Sequence, residues 1–348
     1  MFLEQIKLIN FRSFEELTID TFTQINCLVG ENGAGKTNFL EGLYLLSSNR
    51  GFRTGDRKEL TNRNADGFFI QGVFDGEIIE RTVSEKKKKL TISEQSIPSN
   101  QLRTHNPVIA FSPNDIFLAT GASETRRRFF DAAIALRDAE YSDYLAKYER
   151  ALRQRNASLK KDPKNADIWN EALITNGAKI IKKRLDFVKL LIPKVETLYQ
   201  QFTKGTATLK YFNNFKLSQN IEEALQNALK QSKSEDLRRK HTSKGPHRDD
   251  ITLLINNLPA AKSGSQGQNR TLSFALKIGA VEIIEETLGR KPILLIDDAL
   301  LEVDPKRRQY IFDKFYHSGL QLFFTGTTKE FFSFINVSEP INFIDFDH

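Results

Sequence analysis

The stretch Gly30-Glu31-Asn32-Gly33-Ala34-Gly35-Lys36-Thr37 has the residue types and spacing of a phosphate cradle. Glycines let a backbone curl until successive N–H groups face one point, and a helix beginning there adds its partial positive end. Lys36 supplies a charge for β- and γ-phosphates, and the Thr37 hydroxyl an oxygen for Mg²⁺. This is the Walker A pattern, met at every required position, and Asn38 carries it into the following helix. A second constellation suits hydrolysis: the apolar run Ile293–Ile296 ends in Asp297 and Asp298. Asp297 is placed to hold Mg²⁺ through water, and Asp298 to orient or deprotonate the attacking water. A third is Ser263-Gly264-Ser265-Gln266-Gly267-Gln268, a polar, glycine-containing loop opening a long helix, which makes a further anion site of Ser265, Gly267 and Gln268.

The elements that must position these groups are legible from periodicity. Phe2–Ile9, Phe14–Ile19 and Ile25–Val29 read as strands, and Thr37–Leu46 as a helix with Phe39, Leu43 and Leu46 on one side. Phe68–Phe74 and Ile78–Ser84 flank Asp75-Gly76, a hairpin signal. Leu90–Ile92 and Val108–Phe111 are further strands. The middle then turns helical: Tyr141, Tyr144, Tyr148 and Leu152 share one spacing, and Ile174, Ile181, Leu185 and Val188 another. Pro193 is expected to kink or end the second of these helices. The last third returns to strand Ile251–Ile255, helix Gln268–Leu288, and the buried parallel strands Pro292–Ile296 and Leu320–Thr325. The expected domains are an α/β head from 1–118 and 240–348 and an inserted helical lobe, 119–239.

Composition narrows the class. The chain has 348 residues, 39% of them hydrophobic, with 51 Lys+Arg against 44 Asp+Glu. Residues 121–250 carry a balance of +10, while 1–120 and 251–348 carry −1 and −2. A concentrated positive field suits a polyanion such as nucleic acid, and equally describes a solvated helical surface. Arg126, Arg127 and Arg128 stand at the start of the lobe, where three cations near a positive helix end need phosphate, DNA or acidic neighbours. His247 and Arg248 fit either a core cluster or a nucleotide or dimer interface, and the run Lys86–Lys89 either a hairpin tip or a DNA contact. No run approaches the roughly 20 apolar residues of a membrane span. Glu4 and Lys7 stand where a signal peptide needs an apolar run, so none is expected, and the single Cys27 excludes internal disulfides and cysteine-based metal clusters. The expectation is a soluble cytoplasmic protein with no membrane partner.

Taken together, the phosphate loop, the Asp-Asp strand and the Ser265 loop resemble the ABC-type ATPases. That resemblance implies a RecA-like core sheet plus a β-rich subdomain, and a Ser265 loop that caps the γ-phosphate bound by the other subunit of an ATP-dependent homodimer. Asn10-Phe11-Arg12-Ser13-Phe14 is similar to the opening of the SMC-related branch, in which the arginine equivalent to Arg12 approaches the nucleotide. Phe111-Ser112-Pro113-Asn114-Asp115, Thr125-Arg126-Arg127-Arg128-Phe129-Phe130-Asp131 and Gly245-Pro246-His247-Arg248-Asp249-Asp250 are similar to motifs of one bacterial DNA repair and recombination family, RecF. The match runs from residue 2 to about residue 328 in constant order.

This resemblance implies a slow, DNA-dependent ATPase that uses ATP and Mg²⁺. It implies binding to gapped, double-stranded or single-stranded DNA, and action with RecO and RecR at single-strand gaps to help load RecA, in recombinational repair, replication restart and SOS induction. Three departures stand out. Leu301 replaces the small polar residue usual after the two aspartates, Thr325-Gly326-Thr327-Thr328 stands where many ABC proteins have a switch histidine, and Phe111–Asp115 contains no glutamine. Two other P-loop classes are alternatives. A nuclease of the overcoming-lysogenisation type would need an acidic metal-binding domain after the ATPase. A transporter's nucleotide-binding subunit would need a surface for a membrane partner, which the basic middle fits less well than DNA.

Overall fold

The computed structural model describes residues 2–48, 51–52, 57–85, 88–300 and 303–347. Leu301 and the first half of the run Lys86–Lys89 lie outside the described residues. In chain order the strands are β1 (Leu3–Phe11), β2 (Phe14–Ile19), β3 (Ile25–Val29), β4 (Gly67–Phe74), β5 (Glu77–Ser84), β6 (Lys88–Ile92), β7 (Gln95–Ser96), β8 (Val108–Phe111), β9 (Ala207–Phe212), β10 (Asp250–Ile255), β11 (Leu258–Pro259), β12 (Ile293–Ile296), β13 (Leu322–Gly326) and β14 (Asn342–Asp345). Two compact units emerge: Met1–Asn114 with Ile284–His348, and Asp115–Ile283.

The first unit contains two sheets. One is antiparallel, ordered β2-β1-β4-β5-β6-β7. Its strands alternate as a half-buried sheet should, and β4 buries every second residue. The other sheet is parallel, ordered β14-β3-β13-β12-β8. Here β3, β12 and β13 are buried at every position, the pattern of parallel strands covered on both faces. Helix α1 (Lys36–Leu45) brings Phe39, Leu40 and Leu43 into a core shared with Leu8, Phe11, Ile70 and Phe323. Gly42 allows a close approach in that packing, since a Cβ there would meet Leu8 Cδ2 at 2.8 Å and the leucine would have to shift. Cys27 is buried in β3, and burial pushes its thiol well above the ordinary range.

The second unit combines a three-stranded antiparallel sheet, β11-β10-β9, with long helices. It departs from sequence expectation in two ways. The lobe is not purely helical, because β9 pairs with β10 from Ala207↔Ile255 to Phe212↔Asp250. That ladder binds β10 to the lobe, and the two compact units divide at Ile283/Ile284 and Asn114/Asp115, where the sequence expectation is 239/240 and 118/119. Pro193 does not end its helix, which runs unbroken from Asn170 to Phe202. Proline forfeits one backbone hydrogen bond. Leu191, Val195, Leu198 and Tyr199 are buried around it and hold the helix together.

Candidate functional site

The phosphate loop leaves the C-terminal end of β3, and Asp297 leaves the C-terminal end of β12, with β13 between them. Register aligns the three ends: Gly326 lies beside Val29, and Phe324 beside Ile296. In open parallel sheets this edge is where ligands bind. Gly33 and Gly35 take φ values of 96° and 107°, which side-chain-bearing residues rarely adopt, and Gly35 caps α1. The first turn of α1 carries no acidic residue, so nothing there neutralises its positive end.

Lys36 folds back over the loop, its Nζ donating to Gly30 O at 2.6 Å and Glu31 O at 2.8 Å. Thr37 Oγ1 donates to Asp297 Oδ1 at 2.7 Å, which joins the loop and the Asp-Asp strand directly. One hydroxyl oxygen and a carboxylate acting through water suit Mg²⁺ when water and substrate phosphates fill its other positions. The donor set therefore fits the metal. Asn38 Nδ2 donates to Ser13 Oγ at 2.9 Å.

Asp298 adopts φ 53°. Its N–H donates to Thr325 Oγ1 at 2.8 Å, and that hydroxyl donates to Asp298 Oδ1 at 2.9 Å, with Asp297 Oδ1 farther off at 3.3 Å. Thr325, buried in β13, is thus the group that fixes the second carboxylate. In the sequence it stands out only as occupying the place of a switch histidine. Arg12 is placed against α1: Nε and Nη2 bond Glu41 Oε2 at 2.9 and 2.5 Å, and Nη1 bonds Glu59 O at 2.7 Å. The chain buries Glu41 completely, and its partnership with Arg12 had no local sequence signal.

In the second unit Ser265 and Gln268 bond reciprocally, Ser265 N to Gln268 Oε1 at 2.9 Å and Gln268 N to Ser265 Oγ at 3.2 Å. This is a capping box for the helix Gln266–Leu288. Ser265 and Gly267 are both exposed, and nothing stands within 4 Å of a Cβ placed at Gly267.

The three arginines separate. Arg126 grips Asp250 with two bonds of 2.8 Å and Gly121 O at 2.7 Å. Arg127 bonds Asp249 O at 2.6 Å and Ser123 Oγ at 2.9 Å, and burial, then Arg184, lower its pKa. Arg126 and Arg127 are partly buried, whereas Arg128 is exposed and paired with Glu124 one turn earlier. Arg126 and Arg127 are engaged with Asp250 and the Asp249 carbonyl, which leaves Arg128 the most exposed of the three expected DNA contacts. Arg184, which is buried, ties Asp131 to Pro246 O, at 2.8 and 2.9 Å to the carboxylate and 2.7 Å to the carbonyl. His247 belongs to the same cluster, bonded to Tyr148 Oη at 2.6 Å and Thr242 O at 3.0 Å. Burial lowers its pKa to about 4, so the ring is neutral, with Nε2 donating and Nδ1 accepting. Burial raises Asp249 to about 6, against hydrogen bonds from Tyr211, Asn213 and Asn214.

Residues 1–297 match the family model described as an AAA ATPase domain. The DNA replication and repair protein RecF of Alkaliphilus oremlandii is 34% identical, over 95% of this chain and 94% of its own. The protein of the same description from Natranaerobius thermophilus is 34% identical over 96% and 93%. The chain belongs to the RecF family. A solved structure described as the recombination mediator protein RecF-ATP in the RecFOR pathway superposes with a TM-score of 0.88, at 31% identity over 94% of this chain and 92% of that one. An Smc head bound to the C-winged helix domain of ScpA, 12% identical, has a TM-score of 0.53 and shares the fold alone. The α/β ATPase head of the RecF and SMC type is therefore the fold of this chain, and no helix among the described residues is long and apolar enough to cross a membrane.

Proposed function

We propose that this chain is an ATP-driven DNA-binding protein of recombinational repair, replication restart and SOS induction, acting in the cytoplasm with RecO and RecR at single-strand gaps to help load RecA. The observation that carries the reading is the 2.7 Å bond from Thr37 to Asp297, which unites a complete phosphate loop with the Asp-Asp strand in a chain of this family. ATP binds with its phosphates on the loop N–H groups of Gly33–Thr37 and the α1 terminus. Lys36 exchanges Gly30 O and Glu31 O for phosphate oxygens. Thr37 and Asp297 hold Mg²⁺, which when bound offsets charge on the phosphates. Asp298, oriented by Thr325, takes the proton of the attacking water.

Dimerisation follows from the Ser265 loop. In its capping box Ser265 Oγ accepts from Gln268 N, so its own proton stays available for a phosphate oxygen of ATP bound by a second copy. Slow hydrolysis then resets the dimer. Positive charge concentrated in residues 121–250 supports DNA as the polyanion. The test is a titration of duplex, single-stranded and gapped DNA with and without ATP. Affinity that rises with ATP and is greatest for the gapped substrate is expected; affinity indifferent to ATP would refute the coupling.

A further inference from the structure

The phosphate loop is held from outside as well as by its own turn. β14 lies parallel to β3, with Asn342 beside Asn26 and Asp345 beside Val29. The two strands therefore leave the sheet together, β3 into the loop and β14 into Phe346-Asp347. Phe346 N donates to Val29 O at 2.9 Å, extending the ladder to the edge of the loop. Its ring packs on Phe39 of α1 and on Phe14, with centroids 5.7 and 6.3 Å apart. Phe14 is itself pressed on the loop, since a Cβ at Gly35 would meet its Cζ at 2.9 Å.

The next residue reaches the loop directly. Asp347 Oδ1 accepts from Glu31 N at 2.7 Å, and Asp347 N is fixed on Asp345 Oδ1 at 3.0 Å. One peptide unit is thus gripped on both edges: the Gly30–Glu31 carbonyl by Lys36 and its N–H by Asp347. These grips differ in permanence. A lysine that turns to a nucleotide gives up Gly30 O, whereas the bond to Asp347 does not depend on Lys36. Gly30, at φ 152°, has the freedom to let that peptide rotate, and the carboxylate removes it.

We propose that Asp347 is a positioning residue for the phosphate loop, holding the Gly30–Glu31 peptide through the Glu31 N–H while Lys36 moves from loop carbonyls to nucleotide phosphates. The proposal rests on the loop being the ATP site. A purely electrostatic role would have the opposite sign, because a carboxylate near a polyanion opposes its binding.

The test uses the full chain as wild type, Asp347→Ala, Asp347→Asn and Lys36→Ala. Equilibrium binding of a fluorescent ATP analogue with Mg²⁺ is read beside hydrogen exchange of the loop amides. Asp347 is exposed, so neither substitution opens a cavity. Asp347→Ala is expected to bind about fivefold more weakly, the worth of one such hydrogen bond, and to exchange faster at Glu31. Asp347→Asn keeps an acceptor oxygen and is expected to restore both. Wild-type affinity in Asp347→Ala, or an Asn variant as weak as the Ala variant, would overturn the proposal. Lys36→Ala separates this from failure of the ATP-site reading: undiminished binding in that variant would sink the reading itself, while lost binding there with intact Asp347→Ala would sink only the role of Asp347.

Discussion

Replacing Thr325 by valine removes one hydroxyl from the centre of the site and changes little else, because the two side chains share a shape and the position is buried. Two bonds to Asp298 disappear: the acceptor for its N–H at 2.8 Å and the donor to its Oδ1 at 2.9 Å. A hydroxyl carries one proton, so the 3.3 Å approach to Asp297 is the lesser of its two options. The Asp298 N–H is left orphaned and its carboxylate loses a donor, together a cost of about 2–3 kcal/mol at the low end of each range, since Asp298 is half-buried. The backbone of Asp298, at φ 53°, also loses a restraint on a conformation that L-residues adopt at a cost. A general base contributes about 10²–10⁴-fold, and a carboxylate present but misaligned forfeits part of that. ATP turnover in Thr325→Val is therefore expected to fall about 10- to 100-fold, with ATP affinity near wild type because Lys36 and the loop are untouched. Thr325→Ser keeps the hydroxyl and should recover turnover, and Asp298→Asn, which cannot take the proton, sets the floor. The measurements are steady-state phosphate release and fluorescent-ATP binding. A folded, ATP-binding Thr325→Val variant that turns over at the wild-type rate would refute the assignment of Thr325 as the group that aims Asp298.

Ser265→Arg should bind ATP with nearly normal affinity yet fail to dimerise in sedimentation with ATP and Mg²⁺, at the further cost of about 1 kcal/mol from the lost helix cap; normal dimerisation would remove the loop from the interface. If about 4 to 6 phosphates are neutralised, log K for DNA should fall with log[salt] at a slope near −3.6 to −5.4, and Arg128→Glu should flatten it by about one contact; an unchanged slope would excuse Arg128. Between its ordinary 6.5 and about 4, His247 is neutral in the fold while the unfolded chain binds a proton, so its contribution to stability falls as pH drops through that window. Asp249 runs the other way, its folded carboxyl keeping a proton from the ordinary 3.8 up to about 6, so its contribution falls as pH rises. Denaturation of His247→Gln and wild type should therefore diverge by about 3 kcal/mol in the variant's favour from pH 6.5 to 4, at about 1.4 kcal/mol per pH unit; parallel curves would mean that the ring is not held neutral.

Local chemistry decided what the sequence disclosed. The phosphate loop was legible because binding phosphate demands particular residue types within eight consecutive positions. β3, β12 and β13 were legible because strands covered on both faces are apolar throughout. Where a residue's partner lies far along the chain, the sequence stated a need without naming what meets it. Three arginines at the start of the helix Ser123–Arg137 required compensation, and the need was read correctly as phosphate, DNA or acid. The partners of the first two turned out to be Asp250 and the Asp249 carbonyl, 124 and 122 positions away. β9 escaped notice for the same reason: Ala207–Phe212 sits among helices, and its ladder partner begins at Asp250. Pro193 was expected to kink or end its helix, and the ending does not occur: buried neighbours on both sides of it carry the helix through. Asp347 is the extreme case. Nothing near it in the sequence suggests a tie to a phosphate loop 316 positions earlier, and the tie exists only because β14 joins the same sheet edge as β3. The residues that perform chemistry are constrained by a ligand and so advertise themselves. Those that hold them in place are constrained by the fold, and are found only once the strand order is known.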